Sequence, residues 1–315
     1  MREITILTTY LQNHAIKYER HVPFSKYSWI HRGGMVNYFV SPSNTIELLQ
    51  LAQFLYHSDI PFRVIGHTSN MYIRNATSLE VVVSTRCVVD KEETEQNYIL
   101  GAGVPISKVA KEAVKRGFVG YEGLVNLPGT VAGAVVNNAG CYQCAASDLM
   151  VSATLVLSNG KVVEWERGDF DYAERSSVLK KKLIDAVVVR VTFRKSEVSD
   201  KQALAAQALS NEQHRKQTQD GPAHNLGSVF PQHTLSAFYA HIPRLVRFVL
   251  WRIPVRYRSR FLLLVYAKRH LRKYVSKLNI NCFLWLDEGA DSAFEEYAHW
   301  ITAIAQTSDI EIEII

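Results

Sequence analysis

At 315 residues, 47% apolar and 21% charged, the chain has an ordinary globular composition with room for two or three lobes. Its cysteines, Cys87, Cys141, Cys144 and Cys282, are too few and too scattered for a disulfide scaffold, which points to a reducing compartment, the cytoplasm. The opening Met1-Arg2-Glu3-Ile4 lacks the apolar core of a signal peptide, and the longest apolar run, Phe261 to Ala267, falls far short of the roughly 20 residues that cross a bilayer.

The first helix signal is Asn44-Thr45-Ile46-Glu47, an N-cap residue with glutamate three positions on, followed by apolar Leu48, Leu49, Leu51, Ala52 and Leu55. A strand is expected at Pro61 to Ile65, running into the polar turn Gly66-His67-Thr68-Ser69-Asn70, and another at Leu79 to Val83. A helix is expected from Pro105 to Arg116, closed by Gly117. Ser152–Ser158 and Lys161–Trp165 around Asn159-Gly160 read as a hairpin with a two-residue turn, and Ala186–Phe193 as a β-branched strand. The amphipathic segment from Asp200 to Gln217 marks a boundary, dividing the chain into 1–198, in two lobes of about 1–90 and 91–198, and 199–315. Ser292-Ala293-Phe294-Glu295 reads as a capping box opening a helix to Gln306, and Ile310–Ile315 as a closing strand. Helices and strands mix without strict alternation, so the class is α+β.

The segment from Gly120 to Gly140 carries most of the chemistry. A glycine-rich turn followed by small residues lets backbone N–H groups approach an anion closely. A helix starting near Thr130 would add the positive end of its dipole, which suits a pyrophosphate. The same pattern also suits tight helix packing through small residues.

Glu122, Pro128, Gly129, Thr130, Val131, Gly133, Ala134, Asn138, Ala139, Gly140 and Tyr142 match a family signature. That signature resembles the UDP-N-acetylenolpyruvoylglucosamine reductases, flavoproteins with the fold of vanillyl-alcohol oxidase. Four further blocks follow the family's order: Pro23–Val40, the first phosphate loop at Gly66, His67, Thr68, Ser69 and Asn70, Glu174-Arg175-Ser176-Ser177, and Gly227-Ser228-Val229-Phe230. The resemblance implies an FAD-binding domain at 1–198 and a divergent C-terminal substrate lobe at 199–315. Non-covalent FAD would be held by the loops 66–70 and 126–131, NADPH would be the electron donor, and a UDP-sugar the substrate in cell-wall precursor synthesis. It further implies Arg175 as the cation facing the substrate carboxylate and Ser228 as the proton donor.

Departures from the family cluster at the substrate chemistry. The family's third catalytic residue, a glutamate, aligns with Ile315, so either Glu313 takes the role or the role is vacant. Pro231-Gln232-His233 stands where the family has K-N-P, and Glu174 stands for its tyrosine. Thr68 replaces a loop glycine, which limits the turn there. Related oxidases attach flavin covalently through a histidine of this loop, but that position corresponds to Ser69 rather than His67, so the resemblance implies no covalent bond. Cys141-Tyr142-Gln143-Cys144 has redox spacing in a small-residue turn, where two buried thiols are expected rather than a disulfide or metal site.

The net charge of +6 is uneven, since Gly221 to Leu286 contains no Asp or Glu while Arg and Lys recur from Arg244 to Lys277. Three readings stand: a surface for anionic lipid, a docking patch for UDP-sugar phosphates, or a packed helical lobe with a solvated charged face. Nucleic acid is not expected, because no recognition module accompanies the stretch. For the whole chain the leading reading is the reductase. The alternatives are a flavoenzyme acting on another nucleotide sugar and an inactive FAD-binding scaffold.

Overall fold

The computed structural model describes residues 2–218, 226–266, 278–279, 282–283, 289–307 and 309–315. The chain forms two compact units: 1–23 with 35–68 and 78–212, and 24–34 with 69–77 and 213–315. This division falls inside the helix Lys201–Thr218 and assigns two early segments to the C-terminal unit, whereas the sequence suggests a single boundary at 198/199.

The first unit holds two sheets. In the four-stranded sheet the order is Lys17–Pro23, Met35–Ser41, Leu79–Ser84, Arg63–Ile65; the first pair is antiparallel and the others parallel. Its inner strand buries Val81, Val82 and Val83 in succession, the continuous apolar run that a strand covered on both faces requires. The five-stranded sheet, ordered Val162–Glu166, Met150–Leu157, Ala186–Arg194, Asn97–Gly101, Lys91–Glu93, is antiparallel throughout.

The helix Thr45–His57 turns Leu48, Leu51, Ala52 and Leu55 into this core, the i, i+3, i+4, i+7 row of a helix face. Asn44 accepts from the Glu47 N–H at 2.9 Å, but the Glu47 carboxylate reaches one residue further back than in a capping box, to the Ser43 N–H at 2.8 Å. The helix Ile106–Arg116 ends as expected at Gly117, whose φ of 94° is the left-handed cap. The hairpin differs from expectation. Leu157 N–H bonds the Lys161 carbonyl at 2.9 Å and Gly160 N–H the Leu157 carbonyl at 2.8 Å, so the loop has three residues, with Gly160 left-handed at φ 77°. The helix Arg2–Asn13 and the strand after it carry no expectation from the sequence, yet Leu7 and Leu11 of the helix and Ile16 between the two are buried.

The second unit is built on the helix Ala290–Ala305, which buries Ala293, Phe294, Tyr297, Ala298 and Ile301 and packs against the helix Gln232–His241. The helix is capped at Gly289, three residues before the expected cap, so Ser292 and Glu295 lie inside it, and Glu295 pairs with Arg74 at 3.0 Å. Asp291 in the first turn accepts from Arg32 at 2.9 Å, the Tyr72 hydroxyl at 2.7 Å and the Asn75 N–H at 3.2 Å. Its partial burial would raise its pKa, but these hydrogen bonds and the Arg32 charge hold it below the usual carboxylate range. The closing strand shortens to Glu313–Ile314, parallel to Met71–Tyr72.

Candidate flavin site

In the first unit the loop after Arg63–Ile65 meets the loop before the helix Val131–Val136. A Cβ at Gly66 would lie 2.6 Å from Thr130 Oγ1, so only glycine lets the two loops approach this closely. Gly129, at φ 118°, makes the turn that brings Thr130 there.

The first turn of that helix is committed to protein acceptors. Val131 N–H bonds the Val104 carbonyl at 2.8 Å, Ala132 N–H the Ala102 carbonyl at 3.3 Å, and Gly133 N–H the Thr130 side chain at 3.2 Å. These three N–H groups of the helix end are thus already bonded within the protein. Arg86 Nε and Nη2 each donate at 3.2 Å, to the carbonyls of Gly66 and His67. In planar trans peptides the N–H groups of His67 and Thr68 point away from that guanidinium. A tight backbone loop braced by a cation is the kind of site that suits a diphosphate. Burial lowers the His67 pKa, the charges of Arg86 and Lys108 lower it further, and a hydrogen bond with the Gly129 backbone opposes them.

Thr68 is buried and left-handed at φ 57°, a strained conformation for a β-branched residue. Thr68→Gly is expected to raise stability by about 1 kcal/mol with flavin retained, read as a higher melting temperature. A lower melting temperature would show that the Thr68 hydroxyl bond to the His67 carbonyl, at 2.7 Å, outweighs the strain.

Arg175 sits at the tip of a two-residue turn closed by reciprocal Ala173–Ser176 backbone bonds of 3.1 Å, and its own φ is 54°. The turn is pinned to the end of the helix Val131–Val136. Asn138 Nδ2 donates to the Ala173 carbonyl at 2.8 Å, and Ser177 Oγ donates to the Val136 carbonyl at 2.6 Å. The signature residue Asn138 thus fixes the turn that presents Arg175. Gly140 begins a tight hairpin in which a Cβ would lie 2.3 Å from the Cys144 carbonyl oxygen. Pro128 is half-buried beside Gly129.

Ser69, Asn70, Ser228 and Glu313 belong to the second unit. There Glu311 N–H bonds the Val229 carbonyl at 2.8 Å, the Asn70 amide reaches the Glu311 carbonyl at 3.3 Å, and Glu313 N–H bonds the Asn70 carbonyl at 2.9 Å. The ladder continues with Ile315 N–H on the Tyr72 carbonyl at 2.9 Å, so by strand alternation Glu313 and Ile315 share a face. The loop of Ser228 is therefore one hydrogen-bonded step from the segment bearing Asn70 and Glu313.

Cys141 and Cys144 face each other across a two-residue turn whose central Tyr142 and Gln143 have φ of 52° and 64°. Both are reduced; Cys144 is buried and Cys141 half-buried, so only one of the two is as buried as expected. Burial pushes the Cys144 thiol up, away from a reactive thiolate. The side chain of Cys282 lies outside the described residues. Among the described residues there is no His, Cys, Asp and Glu cluster that could hold a metal ion, and no helix is long and apolar enough to cross a membrane.

Residues 36–166 match the FAD binding domain family. The UDP-N-acetylenolpyruvoylglucosamine reductase of Chloroflexus aurantiacus is 32% identical over 215 residues, covering 66% of this chain and 71% of that protein. The chain belongs to this reductase family. The members from Synechocystis and Bacillus subtilis are 33% and 30% identical, over 63% and 66% of this chain and 63% and 68% of their own lengths. The chain thus spans about two thirds of the length of the curated relatives it matches. The crystal structure of the Thermus caldophilus reductase superposes with a TM-score of 0.67 at 20% identity, over 95% of this chain and 99% of that one, and shows the shared fold. The α+β class with an FAD-binding domain, expected from the order of motifs, is the fold found. The family is one of FAD-dependent oxidoreductases. Arg86 and Lys108 carry no signal in the sequence, since an arginine after a strand and a lysine on an amphipathic helix are ordinary surface residues.

Proposed function

We propose that the chain binds FAD non-covalently and catalyses NADPH-dependent reduction of UDP-N-acetylglucosamine-enolpyruvate to UDP-N-acetylmuramate, a cytoplasmic step in peptidoglycan precursor synthesis. The observation carrying this reading is the pairing, in a member of the reductase family, of the close Gly66–Thr130 loop approach, braced by Arg86, with an arginine held on an anchored turn. Gly66, His67, Thr68, Gly129 and Thr130 would hold the diphosphate, with Ser69 and Asn70 continuing the loop. Bound FAD would supply hydride to the terminal enolpyruvyl carbon, having received it from NADPH. Arg175 would hold the substrate carboxylate and stabilise the negative charge that spreads into it. Ser228 would deliver a proton to the adjacent carbon, with Glu313 supporting that transfer.

A second reading keeps the flavin and changes the nucleotide sugar. It is favoured by the apolar Ile315 at the family's glutamate position. It is also favoured by the replacement of K-N-P, where His233 is instead tied to Asp309 at 2.8 Å. Steady-state assays separate the two. NADPH consumption that depends on UDP-N-acetylglucosamine-enolpyruvate and yields UDP-N-acetylmuramate supports the first. A flavin-loaded enzyme that consumes NADPH only with another UDP-sugar supports the second. Membrane contact, one of the three readings of residues 244–277, is independent of either, because it uses none of the flavin or catalytic candidates.

A further inference from the structure

The helix Arg244–Leu250 carries a face that neither the core nor the candidate site uses. It buries Leu250 and packs Val246 against the second hydrophobic cluster, an i, i+4 pair on one side. On the other side Leu245 is 76%, Phe248 57% and Trp251 64% exposed. At about 100° per residue, Arg244, Leu245, Trp251 and Arg252 flank Phe248 on that outward half. The Arg252 guanidinium stands 3.5 Å from the Phe248 ring centroid and that of Arg258 4.5 Å from the Trp251 ring, so each of these two aromatics carries an arginine beside it. Leu264 and Val265 on the following helix, Val255–Tyr266, are also exposed.

Large apolar side chains gathered on one exposed face mark an interaction surface. The charges around them select the occupant. A second copy would place this acid-free arginine face against itself in a two-fold interface, with like charges opposed. The chain's own continuation is no better suited, since Lys268, Arg269, Arg272, Lys273 and Lys277 are again basic. A partner that accepts apolar side chains and offers dense negative charge at the same depth is an anionic bilayer. We propose that this face docks on an anionic phospholipid surface. Leu245, Phe248 and Trp251 enter the boundary between headgroups and acyl chains, and Arg244, Arg252 and Arg258 pair with lipid phosphates.

The test is sedimentation of the full chain with vesicles of phosphatidylglycerol and phosphatidylcholine, against vesicles of phosphatidylcholine alone. Binding to the anionic vesicles alone is expected, falling at least tenfold when salt rises from about 0.1 to about 0.5 M. Phe248→Glu with Trp251→Glu is expected to weaken it more than tenfold, and Arg244→Gln with Arg252→Gln about 25-fold, at about fivefold per lost charge. All four positions are exposed, and bound FAD, read in the same samples, is expected to stay constant. Equal binding to neutral vesicles, no binding to anionic ones, or binding that survives both double variants would overturn the proposal. A dimer seen by light scattering that Phe248→Glu dissociates would overturn it in favour of self-association.

Discussion

Arg175→Ala is expected to lower turnover of the enolpyruvyl substrate by about 10²- to 10³-fold, roughly 3 to 4 kcal/mol of transition-state stabilisation, with FAD content unchanged. The size follows from the chemistry. Hydride arriving at one carbon leaves negative charge on its neighbour and the attached carboxylate, and a fixed guanidinium is worth most where charge develops. The structural conditions for a clean experiment are present. The turn that carries Arg175 is closed by backbone bonds of 3.1 Å and anchored through Asn138 and Ser177, none of which involves the Arg175 side chain. Alanine at φ 54° meets the same backbone strain as arginine, so the variant is expected to fold. Arg175→Lys should recover part of the loss, because it keeps the charge but not the planar fork. Asn138→Ala should give a smaller loss of about tenfold, because it loosens the turn without removing the cation. Ser228→Ala is expected to match Arg175→Ala in size while leaving reduction by NADPH untouched. Normal turnover in both Arg175→Ala and Ser228→Ala would remove them from the site.

Gly66→Ala is expected to leave a folded chain that purifies with little or no FAD, at least tenfold weaker in cofactor affinity. Its Cβ would fall 2.6 Å from Thr130 Oγ1 and 3.1 Å from Thr130 Cγ2, so one loop must retreat. The Thr130 side chain is held in place because it caps the Gly133 N–H. Thr130→Ala, which removes the cap and leaves the loops free to touch, should lose only about 1 kcal/mol of stability and keep most of its flavin. Comparing the absorbance of the two variants separates loop approach from helix capping. Gly66→Ala that stays fully yellow would show that the diphosphate site lies elsewhere.

The flavin domain was legible because its signature glycines mark places with no room for a side chain. At Gly140 a Cβ would meet the Cys144 carbonyl oxygen at 2.3 Å. Strands rich in valine and the helix closed by Gly117 were legible from local pattern for the same reason: their causes are local. What the sequence hid depends on distant pairing. Arg32 finds Asp291 at a separation of 259 residues, and that contact, with Tyr72 and Asn75, draws two early segments into the C-terminal unit. The Ser292–Glu295 pattern is a sound local cap, yet Gly289 caps the helix and Glu295 turns to Arg74. Arg86 was invisible because its role is to hold two carbonyls of a loop about 20 residues away in sequence. The strand Lys17–Pro23 was hidden by charged residues that suit an exposed edge as well as a loop.

The central claim is tested most directly by the two half-reactions, observed anaerobically on the purified chain. The account predicts a yellow protein that NADPH bleaches and that UDP-N-acetylglucosamine-enolpyruvate returns to the oxidised spectrum at a rate matching turnover. A protein that takes up no FAD, or one whose reduced flavin is indifferent to this substrate, would contradict it.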